Sequence, residues 1–229
     1  MPHPESGEFI FGLLGNGDLS MRKAAAKALA AVVCAEGAAD AFPDVVSRLT
    51  DTHRCHSVSF LISSGEGGDA DEDGAHASWR SGCLLALASC HTCPDIDSAA
   101  EALFHFLVRE ALGDYNESIR DQAVQTGLKL IDAVNSAHQM STLQLLEGFL
   151  QEADEGDDSD LRAQDMAREG AVVLLGAAAK HLPKDSPKLW SVVDKMLSST
   201  TIPSEAVQRN VGKCLIPLMK VRRRSLFAL

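Results

Sequence analysis

Apolar positions along the chain recur at helical spacing, and no useful length alternates as a strand would. From Asp18 to Val33, Met21, Ala25, Leu29 and Val32 fall at i, i+4, i+8 and i+11, one face of a helix whose start Asp18 and Ser20 mark. Trp79, Cys83, Leu87 and Cys90 form a second face, broadened by Leu84, Leu85 and Ala88, and Ile119, Ala123, Leu128, Ile131 and Val134 form a third. The stretch Met166 to Pro187 differs, because Ala171 to Ala179 is apolar or small on every side and needs neighbours on more than one face. A run this short cannot span a bilayer, which takes ~20 residues, so it reads as the inner helix of a layered structure. Pro183 and Pro187 end it and start the next element.

The pattern predicts further helices around Glu8 to Leu14, Pro43 to about Leu49, Ser98 to Ala111 with a capping box formed by Ser98 and Glu101, Ser141 to Leu150, Ser186 to Leu197, and Pro203 to about Lys220. Residues 51–75 and 152–160 are rich in Gly and acidic side chains and read as mobile insertions; 221–229, with Arg222, Arg223 and Arg224, reads as a basic tail outside the pattern. The chain thus alternates an outer helix, a tight turn, an inner helix and a looser connection. One mark aligns these units, an arginine just inside each second helix: Arg22, Arg80, Arg120 and Arg168, with Gln208 in the fifth place. Successive spacings are 58, 40, 48 and 40 residues, and the two longer ones each contain an acidic insertion. A two-helix unit of ~40–47 residues is the HEAT/armadillo period, and one such hairpin cannot bury its apolar face alone. The expectation is an all-α protein, an α-solenoid of about five HEAT/armadillo-like hairpins forming one unit over 1–229. Each register arginine is expected to reach the carboxylate or free carbonyls of the next unit's turn, making a ladder along one edge.

Composition sharpens this. Aromatic residues are only 5% of the chain with a single Tyr, so the core is built from Ala, Leu and Val, which allow helix axes to approach closely. A net charge of −11 opposes a nucleic-acid clamp, which needs a basic stripe to displace counterions from phosphates, so no direct DNA binding is expected. No basic, apolar leader pattern opens the chain, and a cytoplasmic location is expected. The six cysteines read as reduced core residues rather than a disulfide frame.

Catalytic motifs are not found. Gly12 to Ser20 is glycine-rich yet fits neither phosphate-binding pattern, and there is no nucleophile elbow, zincin helix or calcium loop. The one set with ligand-like spacing is His53, Cys55 and His56 together with Cys90, His91 and Cys93; packed thiols are the alternative to zinc there. No cofactor, metal, catalytic residue or small-molecule substrate is expected. Trp79 and Trp190 are expected to be buried between units.

Once the units are aligned, Asp160 to Leu197, Thr201 to Met219, Trp79 to Cys90 and Asp114 to Val134 resemble, in order, the large HEAT-repeat translational activator of the general-control non-derepressible family. Ser20 to Val33 is compatible with it. That family is ribosome-bound, cytoplasmic and non-catalytic. It activates the stress kinase acting on the α subunit of translation initiation factor 2 when amino acids are limiting. The resemblance implies a scaffold whose partners are the ribosome, through ribosomal proteins, and, through other parts of a longer member, the kinase. It carries over no kinase-contact residue to this stretch. A HEAT adaptor for transport or phosphatase assembly is the alternative reading.

Overall fold

The computed structural model describes the backbone of residues 4–35, 41–63, 70–152, 158–183, 186–201 and 205–226. Among these the regular structure is ten α-helices and short 3-10 turns, with no strand. In chain order the helices are α1 Pro4–Gly12, α2 Leu19–Val33, α3 Phe42–Ser63, α4 Ala70–Ser89, α5 Ala100–Arg109, α6 Glu117–Ala133, α7 Ser136–Phe149, α8 Asp158–Ala179, α9 Pro187–Ser198 and α10 Glu205–Leu226. Each odd-numbered helix pairs with the even one that follows, and the even helices stack α2 on α4 on α6 on α8 on α10. The fold is an α-solenoid of HEAT-like hairpins, with the even helices as the inner row and the odd ones as the outer row.

Local chemistry explains several boundaries. The Asp18 carboxylate accepts from Ser20 N–H to cap α2, Asn116 caps α6 by accepting from Ser118 N–H, and Asn135 caps α7 through the N–H groups of Ala137 and His138. Ser186 caps α9, whose first residue is Pro187, a position where the missing N–H costs nothing.

Several expectations are corrected. Residues 51–63 are helical because Leu49, Thr50 and His53 fall on one buried face of α3 while Asp51, Arg54 and Cys55 face outward; packing on that face overrides the polar composition. Residues 70–75 open α4 and 158–160 open α8, so neither insertion is wholly loop, and 64–69 and 153–157 lie outside the described residues. The helix α10 runs on through the expected basic tail to Leu226, and 227–229 lie outside the described residues. No capping box forms at Ser98. Its hydroxyl donates to Asp95 O within a 3-10 turn over Ile96–Ala99, and α5 starts at Ala100 without a side-chain cap. In α2 the buried set is Ala25, Ala26, Leu29, Ala30 and Val33, while Met21 is 42% exposed. The helix is rotated from the expected face because it must serve both α1 and α4.

The inner row is held at close range. Ala171 through Ala179 is buried except for the half-buried Val173, as an inner helix with neighbours on several sides requires. A Cβ added to Gly82 on α4 would lie 2.0 Å from Leu14 O, one on Gly127 of α6 would lie 2.8 Å from Leu174 of α8, and one on Gly176 of α8 would lie 2.7 Å from Cys214 of α10. At this range side chains reach the neighbouring helix's backbone. Gln122 Nε2 donates to Ser81 O at 2.9 Å and Thr126 Oγ1 to Leu84 O at 3.2 Å. Two hairpins on, Asn210 Nδ2 donates to Glu169 O at 3.4 Å and Cys214 Sγ to Val172 O at 3.8 Å. Counted from the register position of each helix, donors stand two and six places on and acceptors one and four places on, in both interfaces.

Gly82→Ala is expected to destabilise the fold by about 1–3 kcal/mol or more, since Leu14 backbone must move. Gly212→Ala, in open space inside α10, is expected to stabilise it by about 0.5–1 kcal/mol. Urea denaturation of the two variants measures the contrast.

Candidate functional site

The register residues clamp turns. Arg22 Nη1 donates to Asn16 O at 2.6 Å and Gly17 O at 3.0 Å, and Arg120 Nη1 to Asp114 O at 2.7 Å and Tyr115 O at 3.1 Å. The two turns are built alike: Asp18 N–H donates to Asn16 and Ser20 N–H to Asp18, just as Asn116 N–H donates to Asp114 and Ser118 N–H to Asn116. Repeating the pattern (Asn/Asp)-x-(Asp/Asn)-x-Ser-x-Arg was the sequence signal for this turn, at Asn16–Arg22 and Asp114–Arg120. Arg168 Nη2 holds Glu152 O at 2.9 Å, and Gln208 Nε2 holds Thr200 O at 3.1 Å. These contacts run back to the unit's own turn rather than forward to the next, which corrects the expected ladder. Arg168 and Arg80 also stand ten residues inside their helices, because α8 and α4 begin early.

Arg80 is the member that reaches strongly forward. It is 0% exposed, its Nε lies 2.9 Å from Asp114 Oδ2 of the next hairpin, and its guanidinium covers the Tyr115 ring at 4.5 Å. Nη1 donates back to His56 O at 3.1 Å. The ion pair is a charge contact rather than an aligned hydrogen bond, since Nε and Nη2 have no partner within hydrogen-bond geometry. Burial pushes the Asp114 carboxyl up, against the pull of Arg80, the Asn116 N–H and Arg120. Beside it His53 is buried edge-on to Phe106, its two ring nitrogens unpartnered, and its pKa is lowered to about 3, first by burial and then by Arg80, His56 and Arg54. His56 stacks on Trp79 and shares a hydrogen bond with His76, Nδ1 to Nδ1, at 2.8 Å. This polar seam joins the second hairpin to the third.

A ladder between units does exist, on the outer row. Arg48 of α3 pairs with Glu8 of α1, and Arg54 of α3 pairs with Glu110 just past α5. Arg109 of α5 pairs with Glu152 just past α7, and Lys188 of α9 pairs with Glu147 of α7. The partners stand about one repeat apart in sequence, so the pairing becomes visible only after the period is known. Between α5 and α7 lies a groove of about 340 Å³ lined by Glu101, Phe104, His105, His138 and Leu145.

The possible zinc ligands are not brought together. His53 is buried in the seam, Cys55 is exposed, His56 is bonded to His76, His91 Nδ1 meets Ala88 O, and Cys90 is buried. Among the described residues no group of three or more metal-ligating side chains converges. Cys93 is instead disulfide-bonded to Cys34, which corrects the reading of all six cysteines as reduced. Trp79 is packed between the first two hairpins, against Phe11 and under Gly15. Trp190 is 42% exposed, contrary to expectation, because α9 uses Val192, Val193 and Met196 as its buried face. Among the described residues no helix is long and apolar enough to cross a membrane.

The family model for the HEAT repeats of the stalled ribosome sensor GCN1 matches residues 3–180. Protein ILITYHIA of Arabidopsis thaliana is 34% identical over 215 residues, covering 92% of this chain and 7% of that protein. Human stalled ribosome sensor GCN1 is 34% identical over 142 residues, 62% of this chain and 5% of that protein. The eIF-2-alpha kinase activator GCN1 of Dictyostelium discoideum is 32% identical over 119 residues, 52% of this chain and 4% of that protein. The chain therefore spans less than a tenth of the length of these relatives. No solved structure matches it.

Two outcomes test the seam. Asp114→Ala, which strands the Arg80 charge, is expected to cost about 3–5 kcal/mol, and adding Arg80→Met to it is expected to recover part of that loss in a double-mutant cycle. His53 titrates in the unfolded chain near 6.5 and in the fold near 3, so the fold binds fewer protons between those values and loses stability as pH falls through that window. His53→Leu is expected to remove a slope of about 1.4 kcal/mol per pH unit from stability measured between pH 6 and 4.

Proposed function

Because the chain belongs to the GCN1 HEAT-repeat family, we propose that it is a non-catalytic segment of a cytoplasmic scaffold that binds ribosomes and supports activation of the initiation factor 2 α-subunit kinase when amino acids are limiting. The observation that carries this reading is the match over residues 3–180, which spans four of the hairpins and runs to the end of α8. The names of the human and Dictyostelium relatives supply the two halves of the role, ribosome sensing and kinase activation.

The physical mechanism is surface complementarity. A row of hairpins presents a long surface, and tethering two large partners on one frame raises their effective concentration. Net charge of −11 favours basic ribosomal proteins over ribosomal RNA as the contact of this stretch. The register positions Arg22, Arg80, Arg120, Arg168 and Gln208 then serve the repeat itself, and partner contacts fall on solvent-facing side chains of the two rows. The kinase contact belongs to other parts of a full-length member.

Ribosome co-sedimentation of a full-length member with and without this segment is the test. The expected result is weaker co-sedimentation on deletion, with sensitivity to salt. Unchanged co-sedimentation would remove the ribosome contact from this segment.

A further inference from the structure

Cys34 and Cys93 sit at matching places on neighbouring inner helices. Cys34 is the C-cap of α2, its N–H bonded to Ala30 O at 2.8 Å; Cys93 closes the 3-10 turn that ends α4, its N–H bonded to Cys90 O at 2.9 Å. Each backbone is thus fixed by its own element. Their Cα atoms are 4.8 Å apart, inside the span that a disulfide bridges without backbone movement, and the sulfurs are bonded. The pair closes a loop with a sequence separation of 59 that contains the whole α3–α4 hairpin.

The other thiols stand apart from this exchange. Cys83 and Cys90 are buried, and burial pushes both thiols up to about 12, so neither competes with the half-buried Cys34 for an external disulfide. Cys55 is exposed but lies on α3, and Cys214 lies on α10. Within the pair Cys93 is 4% exposed while Cys34 is half-buried, so an external thiol or disulfide meets Cys34 first.

We propose that Cys34–Cys93 is a reversible redox staple between the first two hairpins, opened and closed through Cys34. With glutathione disulfide as oxidant, the Cys34 thiolate attacks one glutathione sulfur and releases one glutathione thiolate, leaving a mixed disulfide. The Cys93 thiolate then attacks the Cys34 sulfur and expels the second glutathione. Two protein thiols are oxidised and one glutathione disulfide is reduced to two thiols, the two protons given up by Cys34 and Cys93 being taken up by the departing glutathione thiolates. Excess glutathione runs the sequence backward from attack at Cys34. Such exchange suits a protein bathed in a thiol pool, where disulfides form transiently and serve as catalytic or redox-sensing bonds. When closed, the staple fixes α2 against α4 at their C-terminal ends while the contacts among the later hairpins stay noncovalent. The inference rests on the cytoplasmic location proposed above and not on the ribosome contact.

The test incubates the whole chain with either reduced glutathione or glutathione disulfide, quenches with an alkylating reagent, and maps peptides without reduction. The expected product under oxidation is one peptide pair joined through Cys34 and Cys93, with Cys83 and Cys90 as free thiols and thermal midpoint raised by ~5–10 °C over the reduced chain. Cys34→Ser is expected to abolish both the joined pair and the midpoint difference, and Cys90→Ser to keep the pair. Joined peptides through Cys90, glutathione retained on Cys34 with no pair formed, or a midpoint indifferent to the redox state in the unmodified chain would each overturn the proposal. The comparison of oxidised with reduced wild-type chain decides the matter even where a serine variant folds poorly.

Discussion

The constraint on which the structure depends is the short distance between consecutive inner helices. Gly127 and Gly176 occupy points where a methyl group would enter the next inner helix, and Gly82 one where it would enter the 3-10 turn at Leu14 in the preceding hairpin. Along the inner helices alanine, leucine and valine fill the core, while the buried rings of Phe42, Phe104, Phe106 and Phe149 lie on outer helices. The same closeness lets Gln122, Thr126, Asn210 and Cys214 reach carbonyl groups that already serve their own helix, adding direction to a contact that apolar packing alone leaves free to slide.

The two rows are joined by different physics. The inner row is buried, dense and locked by side chain to backbone contacts. The outer row is linked through ion pairs such as Arg48 with Glu8 and Arg54 with Glu110, whose side chains are 31–67% exposed and each worth ~0.2–1 kcal/mol. Between them, the buried Arg80–Asp114 contact ties one hairpin to the next at a point where neither charge has access to water. It contributes position more than net stability, because desolvation of both ions opposes their attraction.

Fold class, period and the approximate places of nearly all helices were legible from apolar spacing, since a buried helix declares itself through what it cannot expose. What escaped was decided by contacts a one-dimensional pattern does not carry. Residues 51–57 look like loop until Thr50 and His53 are seen to share the buried face of α3. The arginine register was visible, yet its direction was not, because an Arg side chain can turn back to its own turn as easily as forward. The outer ion pairs and the Cys34–Cys93 bond join residues about one unit or more apart, with no local signature. For the binding surface the sequence was less informative still: the residues that identify the family are those that pack, and packing residues face away from partners.

One consequence follows from the unequal rows. In a beam made of two such layers the stiff one becomes the neutral axis, so the hairpins fan about the inner helices while the outer ends open or close. Exposed ion pairs weaken as salt rises. By this reasoning curvature along this stretch is adjusted on its outer edge, where salt acts on the exposed ion pairs.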